Sequence, residues 1–198
     1  MRVGFDLDGV LYNFGDSVQR YLEATGRGHL WKSGPTAAPF WDFYKDWGWT
    51  SAEFVKMCNE GADEGYIFCG PTREHAAEAV QKVKSLGHDV IIITDRAFGS
   101  TPEVSHENTR NWLAQHEIPY DELHFSPNKT IVPTDTFVED KLENYDALVE
   151  AGTKTWLINR AWNFVEHGDA RNRIMHVMEY ADAVERVTQE GFADLSLV

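Results

Sequence analysis

Beyond residue 70 the chain alternates short, continuously apolar runs with segments in which apolar residues recur every three or four positions. The first pattern predicts buried strands, and the second predicts helices. The predicted strands are DVIIITD, ELHFS, TFVED, TKTWLIN and a last edge strand in RIMHVM, and the predicted helices are REHAAEAVQKVKSLG capped by Thr72, residues 105–115, LENYDALVEAG and about residues 182–190. This alternation favours a doubly wound, mostly parallel α/β sheet with right-handed crossovers.

The N-terminal segment begins with the same pattern and then departs from it. RVGFDLD predicts a buried strand that ends in two acids, and GDSVQRYLEATG predicts a helix. Farther along, Thr50 and Glu53 have the spacing of a capping box, which predicts that a second helix begins there. Between these two helices the chain is interrupted by Gly, Pro and Ser.

Residues 15–70 therefore fit the strand–helix alternation poorly. Six of the ten residues 40–49 are aromatic, a far higher share than in the rest of the chain. We expect an α/β core formed by residues 1–14 and 71–198, with residues 15–70 inserted after the first strand as a small helical cap.

Polar and charged residues collect where the predicted strands end. The first strand ends in Asp6 and Asp8, the second in Thr94 and Asp95, and the fourth in Glu139 and Asp140, while Lys129 follows the third. In an open α/β sheet, ligands bind outside the carboxyl ends of the strands. Carboxylates with room for water suit Mg²⁺, and a lysine and a hydroxyl can hold phosphate oxygens. An aspartate can also act as a nucleophile, with a second acid to protonate the leaving group.

These strand ends carry a resemblance to a known family. Asp6-Leu7-Asp8-Gly9-Val10, Thr94 after IIIT, Lys129 and Glu139-Asp140 resemble, in order and spacing, the four motifs of the haloacid dehalogenase (HAD) superfamily of Mg²⁺-dependent phosphohydrolases. The match spans residues 4–140. Within the superfamily the chain looks most like the 5′(3′)-deoxyribonucleotidase group, which has a small helical cap after the first motif. SPNKTIVPTDTFVED follows that group's layout, except that Glu139 stands where the group more often has aspartate.

The resemblance implies a HAD-like Rossmannoid sheet and assigns roles to the motif residues. Asp6 would attack phosphorus and bind Mg²⁺, and Asp8 would protonate the leaving group, activate water and offer its main-chain carbonyl to the metal. Asp140 would be a direct metal ligand, with Thr94 and Lys129 holding phosphate oxygens. Whether Glu139 contributes to the metal site stays open.

Taken singly, each motif residue also has an ordinary interpretation. Asp6 and Asp8 can be turn-forming acids at a solvated strand end, Thr94 a strand-end hydroxyl and Lys129 a surface lysine. Asp140 can cap the helix that begins near residue 142. The four motifs in order favour the catalytic interpretation.

Further residues are candidates for contacting the substrate: Phe14, Phe40, Trp41, Phe43, Tyr44, Asp95 and Arg96. The aromatic members can stack a nucleobase, since every base presents a π-face. The alternative is that they form a small core for a thin insert. The loop that follows the second motif, which contains Arg96, can help to bind phosphate or sugar, or it can simply connect two elements of the fold.

Charge and composition narrow the function further. The formal net charge of −14 argues against a generic nucleic-acid-binding surface, which needs clustered Lys and Arg. Two cysteines, Cys58 and Cys69, fit a reduced compartment better than a disulfide framework, although one bond between them stays open. With neither a signal pattern nor a membrane-spanning apolar run, we expect a soluble cytoplasmic protein.

The sequence therefore predicts a Mg²⁺-dependent phosphatase that hydrolyses a nucleoside monophosphate through an aspartyl-phosphate. The alternatives are a phosphatase for a sugar phosphate or another small phosphomonoester, and a catalytically quiet nucleotide-binding module. The expected partner is a small-molecule phosphomonoester, with no nucleic-acid polymer and no membrane. The sequence leaves open the base, the sugar, 5′ against 3′ preference, the oligomeric state and the role of residues 160–198.

Overall fold

The computed structural model describes residues 1–31, 42–164 and 169–195, and within them six parallel strands form one sheet. The strands are β1 (Arg2–Phe5), β2 (Asp89–Thr94), β3 (Glu122–Phe125), β4 (Thr136–Glu139), β5 (Lys154–Ile158) and β6 (Arg173–Ile174). Their order across the sheet is β3-β2-β1-β4-β5-β6. The chain thus runs outward from β1 in one direction, returns, and runs outward in the other. This confirms the doubly wound α/β prediction and places a topological switch point between β1 and β4, where ligands of such sheets bind.

Six α-helices accompany the sheet in the described residues. They are α1 (Phe14–Ala24), α2 (Ser51–Asp63), α3 (Ala76–Ser85), α4 (Pro102–Gln115), α5 (Leu142–Glu150) and α6 (Val177–Leu195), with 3-10 turns at Gly28–Leu30, Phe43–Trp47 and Ala161–Asn163. The predicted capping box at the start of α2 is present, since Thr50 accepts from the Glu53 N–H and Glu53 accepts from the Thr50 N–H. None of the helices in the described ranges is long and apolar enough to cross a bilayer.

Several predicted boundaries were wrong. Thr72 does not cap α3, which begins at Ala76 after His75, because Thr72 forms an extended bridge with Tyr12 instead. The edge strand predicted in RIMHVM is only two residues long, and α6 begins at Val177, earlier than predicted. Val177 and Tyr180 are both buried, so helical packing against the core takes over there.

The core lies on both faces of the central strands. Val90 and Ile92 pack on one face with α3 and α6, and Ile91 and Ile93 pack on the other with Phe137. These four side chains of β2 have no exposed surface, as predicted for a strand covered on both faces. At Gly4 a Cβ atom would lie 2.1 Å from the Phe137 ring, so the close packing of β1 and β4 requires glycine there.

Two neighbouring segments connect the sheet to residues 15–70. The Arg73 N–H donates to the Leu11 carbonyl at 2.7 Å, and the Asn13 N–H donates to the Pro71 carbonyl at 3.1 Å. The Gly70 N–H donates to the Tyr12 hydroxyl at 3.1 Å. The outgoing and returning chains are therefore held side by side, directly after the first acidic motif.

Candidate active site

Asp6 lies immediately after β1 and is buried against a lysine. Lys129 Nζ donates to Asp6 Oδ1 at 2.7 Å and to the Ile93 carbonyl at 2.8 Å, which joins the ends of two neighbouring strands. Burial raises the pKa of Asp6 to about 7, opposed by the charge of Lys129 and reinforced by the charges of Glu139 and Asp8. The structure therefore brings residues of the first and third motifs into contact at one edge of the sheet.

Three buried acids converge beside this ion pair. One carboxylate oxygen from each of Asp6, Glu139 and Asp140 lies within 4.8 Å of the others. Burial raises the pKa of Glu139 and of Asp140 to about 7 each, because desolvation disfavours their charged forms. Glu139 Oε1 accepts the N–H groups of Asp140 and Lys141, both at 3.1 Å, whereas its buried Oε2 has no partner among the described residues. Such an all-oxygen donor set suits a hard divalent cation.

Asp140 does not cap the following helix. The residue before α5 is Lys141, and no side-chain hydrogen bond caps that helix. Asp140 Oδ2 instead accepts a hydrogen bond from Trp162 Nε1 at 2.9 Å. Gly9 has a φ of +81°, and a Cβ atom there would lie 2.0 Å from Asp140 Oδ2, so this approach of the loop to the acid requires glycine.

Asp8 is not part of the cluster of three acids and is bound by Arg96. Arg96 Nε and Nη2 donate to the two oxygens of Asp8 at 2.9 and 3.0 Å, and Arg96 Nη1 donates to Thr109 Oγ1 at 3.1 Å. The guanidinium is also stacked near the rings of Tyr12 and Phe68, 4.5 and 4.4 Å from their centroids. The hydroxyl of Thr94 lies 3.5 Å from Asp8 Oδ2.

This geometry corrects the prediction for Arg96. Its side chain has 0% exposed surface, and its guanidinium is already engaged, so Arg96 supports Asp8 and has no free surface for substrate. The Asp8 carboxylate is outside the cluster of Asp6, Glu139 and Asp140, and the expectation that the Asp8 main-chain carbonyl binds the metal stays a prediction.

A cavity of about 360 Å³ opens above the acids. Its wall includes Asp8 and Asp140 together with four of the predicted substrate residues, Phe14, Phe43, Tyr44 and Asp95. Phe40 and Trp41 lie outside the described residues. The volume is within the range of about 300–1,000 Å³ that small-molecule sites occupy.

The aromatic residues of this region pack against one another, and several of them also line the cavity. Tyr44 stacks on Phe54 with ring centroids 4.5 Å apart, and Phe43 packs edge-on against Trp47 at 5.5 Å. They thus form a small core, and Phe43, Tyr44 and Phe54 also present surface to the cavity. Phe14 stacks on Phe98 at 6.4 Å on the same wall.

Three of the cavity residues that the sequence did not single out are Phe54, Phe98 and Arg73, and Trp162, just beyond β5, also lines the cavity. Arg73 carried a signal in hindsight, since it follows Gly70-Pro71 where the chain returns to the core. Phe54 and Phe98 carried none, because a single aromatic residue in a helix or loop is most often a packing residue. The two cysteines are not bonded to each other: Cys58 is buried and Cys69 is exposed.

Comparison with known structures supports the fold. A structure titled as a putative haloacid dehalogenase-like hydrolase from Bacteroides fragilis superimposes with a TM-score of 0.57 at 12% identity, covering 90% of this chain and 98% of that one. The D,D-heptose 1.7-bisphosphate phosphatase from B. bronchiseptica, solved with magnesium and phosphate, gives a TM-score of 0.51 at 12% identity, covering 93% and 98%. The chain therefore has the HAD-like α/β fold that its motifs implied.

Sequence comparison is more specific. The protein named "Putative nucleotidase OB0422" of Oceanobacillus iheyensis is 28% identical over an alignment of 120 residues that covers 56% of this chain and 61% of that relative. The chain thus matches less than two thirds of this relative's length. The family model described as 5′ nucleotidase, deoxy (pyrimidine), cytosolic type C protein (NT5C) matches residues 1–184, nearly the whole chain. The strand-end acids, the buried lysine and the fold agree with this match, and the chain belongs to the NT5C family.

Proposed function

We propose that this protein is a Mg²⁺-dependent phosphatase that hydrolyses a nucleoside monophosphate through an aspartyl-phosphate on Asp6. One observation carries the proposal: the Asp6 carboxylate, paired with Lys129 at 2.7 Å, adjoins two further buried acids. The family match supports a nucleotidase. The division into a core of residues 1–14 and 71–198 and a cap of residues 15–70 is part of the same proposal.

The residues of the acidic cluster fit a divalent cation. Asp6, Glu139 and Asp140 are all buried, carry raised pKa values, and include the unpartnered Oε2 of Glu139. Three buried acids with one nearby lysine leave an excess of negative charge that a cation would offset. Bound Mg²⁺ would supply charge neutralisation for the phosphoryl group. Asp6, Glu139 and Asp140 would hold it, with the Asp8 main-chain carbonyl as a further candidate ligand.

In the proposed reaction, each of these side chains has its own role. An Asp6 oxygen attacks phosphorus, so that the Asp6–phosphorus bond forms while the bond to the leaving oxygen breaks. Asp8 gives its proton to that oxygen and later takes one from the water that cleaves the acyl phosphate. Lys129 and Thr94 stabilise the phosphate oxygens, and Arg96 fixes the direction of the Asp8 carboxylate through two hydrogen bonds.

The cavity wall supports a substrate with a flat apolar part. Phe14, Phe43, Tyr44 and Phe54 line it, and stacking on an aromatic face suits any nucleobase. Asp95 is exposed at the same cavity and can accept a hydrogen bond from a sugar hydroxyl. A nucleotide would place its phosphate beside the acids and its nucleobase against the aromatic rings, so both the acidic and the aromatic parts of the cavity would contact the substrate.

Substrate assays test the proposal directly. We expect Mg²⁺-dependent phosphate release from deoxy- and ribonucleoside 5′- and 3′-monophosphates, and loss of that release in EDTA. A panel of sugar phosphates serves as the comparison. Turnover concentrated on sugar phosphates would agree with the proposed mechanism but contradict the proposal that the aromatic residues of the cavity stack a nucleobase. Nucleotide binding without turnover would indicate a nucleotide-binding module instead of an enzyme.

The acidic cluster also makes stability depend on pH and metal. The carboxyl pKa is about 4 in the unfolded chain and about 7 in the folded, metal-free protein. The folded state therefore binds more protons between these values, and the free energy of unfolding falls as the pH rises from about 4 to about 7. A cation that replaces those protons should stabilise the protein more at about pH 8 than at about pH 5.

Thermal unfolding with Mg²⁺ and with EDTA at both pH values measures this difference. Sodium chloride of matched ionic strength is the control for screening. We expect Glu139→Gln to reduce the Mg²⁺ effect, because it removes one charged ligand. Equal Mg²⁺ stabilisation at the two pH values would show that the three acids do not hold the ion.

A further inference from the structure

Arg73 occupies a fixed position at the rim of the candidate active site. It lies on the segment that returns from residues 15–70 to the core, and its N–H donates to the Leu11 carbonyl at 2.7 Å. The neighbouring bridge between Thr72 and Tyr12 holds the same segment in place. The Arg73 side chain lines the cavity together with Asp8 and Asp140.

The guanidinium of Arg73 has no partner among the residues that the structure describes. Its Nε atom is buried, and the side chain makes no hydrogen bond or ion pair with any residue in the described ranges. The other two arginines near the site are engaged: Arg96 holds Asp8, and Arg160 Nε donates to the Gly9 carbonyl at 2.6 Å. A guanidinium carries five N–H donors, and leaving them unpaired in a partly buried site costs free energy.

The surrounding charges indicate what Arg73 is for. Asp140 and Asp16 are the acids whose charges act on it, yet neither forms an ion pair with it, and Asp140 already accepts from Trp162 and belongs to the acidic cluster. Lys129, another cation at this edge of the sheet, does not line the cavity and already donates to Asp6 and to the Ile93 carbonyl. A protein with a net charge of −14 needs local positive charge to admit an anionic substrate.

We propose that Arg73 is a substrate-binding residue that takes a phosphate oxyanion of the substrate through its unpaired N–H donors. A guanidinium matches the geometry of phosphate oxygens and binds them in pairs. The oxyanion belongs either to the phosphate that is cleaved or to a second phosphate on the leaving group. This inference rests on the proposed phosphatase function and adds a specificity residue to it.

Kinetics of Arg73→Gln and Arg73→Lys test the proposal, with Arg20→Gln as the matched control. Arg20 is exposed on α1, so its replacement removes the same charge from a residue that does not line the cavity. The probes are inorganic phosphate as a competitive inhibitor, a nucleoside 5′-monophosphate and the corresponding 3′,5′-bisphosphate. In Arg73→Gln we expect a rise of about 10- to 100-fold in each KM or inhibition constant that depends on Arg73, with a smaller change in kcat. Arg73→Lys should recover part of the lost affinity.

The pattern of change identifies the oxyanion. If Arg73 holds the cleaved phosphate, the KM of both substrates and the inhibition constant of inorganic phosphate rise together. If it holds a second phosphate, only the KM of the bisphosphate rises. Constants for all three probes that match those of Arg20→Gln would overturn the proposal.

Stability separates substrate binding from a structural role. Because Arg73 has no partner in the described residues, Arg73→Gln without ligand should unfold at the wild-type temperature or above it. A structural arginine would lower the unfolding temperature when replaced, and that result would contradict the proposal. If the wild-type protein hydrolyses none of the substrates, the proposed function fails, and the Arg73 inference is judged by phosphate-induced thermal stabilisation. If phosphate raises the unfolding temperature of the wild type but not that of Arg73→Gln, the inference is supported. If phosphate raises both unfolding temperatures equally, or raises neither, the inference is overturned.

Discussion

An Asp6→Asn variant is expected to fold and to lose phosphatase turnover by on the order of 10⁴-fold or more. The amide has nearly the same shape as the carboxylate, so the packing around this buried position stays intact. Its oxygen is a poor nucleophile and a weak ligand for a hard cation. Both the covalent step and the metal site therefore lose the group on which they depend, because Asp6 contacts Lys129 and belongs to the acidic cluster.

The measurement is phosphate release at saturating nucleotide, with circular dichroism to show that the variant is folded. Asp89→Asn is the matched control, since Asp89 is an exposed acid at the opposite end of the neighbouring strand β2. We expect Asp89→Asn to keep wild-type turnover. Turnover of folded Asp6→Asn within tenfold of the wild type would show that Asp6 is not the nucleophile.

Arg96→Ala is expected to lower the free energy of unfolding by about 3–5 kcal/mol. The change removes a fully buried side chain that fills the space between Tyr12, Phe68 and Trp112. It also leaves the Asp8 carboxylate without its two strongest hydrogen bonds. Cavity formation and loss of the ion pair therefore act in the same direction.

Urea unfolding of two variants separates these contributions. Arg96→Met keeps most of the buried volume and removes the charge, so it should cost less than Arg96→Ala by the cavity contribution. Arg110→Ala is the control, because Arg110 is exposed on α4 and lies over only one ring, that of Phe125 at 5.4 Å. A loss of under 1 kcal/mol in Arg96→Ala would contradict the structural role assigned to this arginine.

The sequence was sufficient for the parts of the molecule that follow from periodicity and direction. DVIIITD forms strand β2, buried from Val90 to Thr94, because an apolar run of that length has few other solutions in an α/β chain. Asp6, Lys129 and Asp140 come together because the carboxyl ends of parallel strands lie at one edge of the sheet. Their separation along the chain is therefore no obstacle to predicting their meeting.

What the sequence did not reveal depends on packing between distant segments. Arg96 looks like a loop residue until Tyr12, Phe68 and Trp112 enclose it, and nothing local shows that its partner is Asp8. Thr72 has the chemistry of a helix cap, but pairing with Tyr12 withdraws it from that role. Such choices are decided by which segments meet, and a single sequence does not contain that information in local form.

The paired connections at Leu11–Asn13 and Pro71–Arg73 have a consequence for how this protein can diversify. Because the chain leaves the sheet and returns to it at adjacent, hydrogen-bonded positions, the length and composition of the intervening segment place little strain on the strands below. The proposed catalytic residues lie at the sheet edge, whereas most of the aromatic residues that line the cavity come from residues 15–70. Replacing the segment between these two positions is therefore a natural route to new substrate preferences while the proposed catalytic residues on the sheet stay the same.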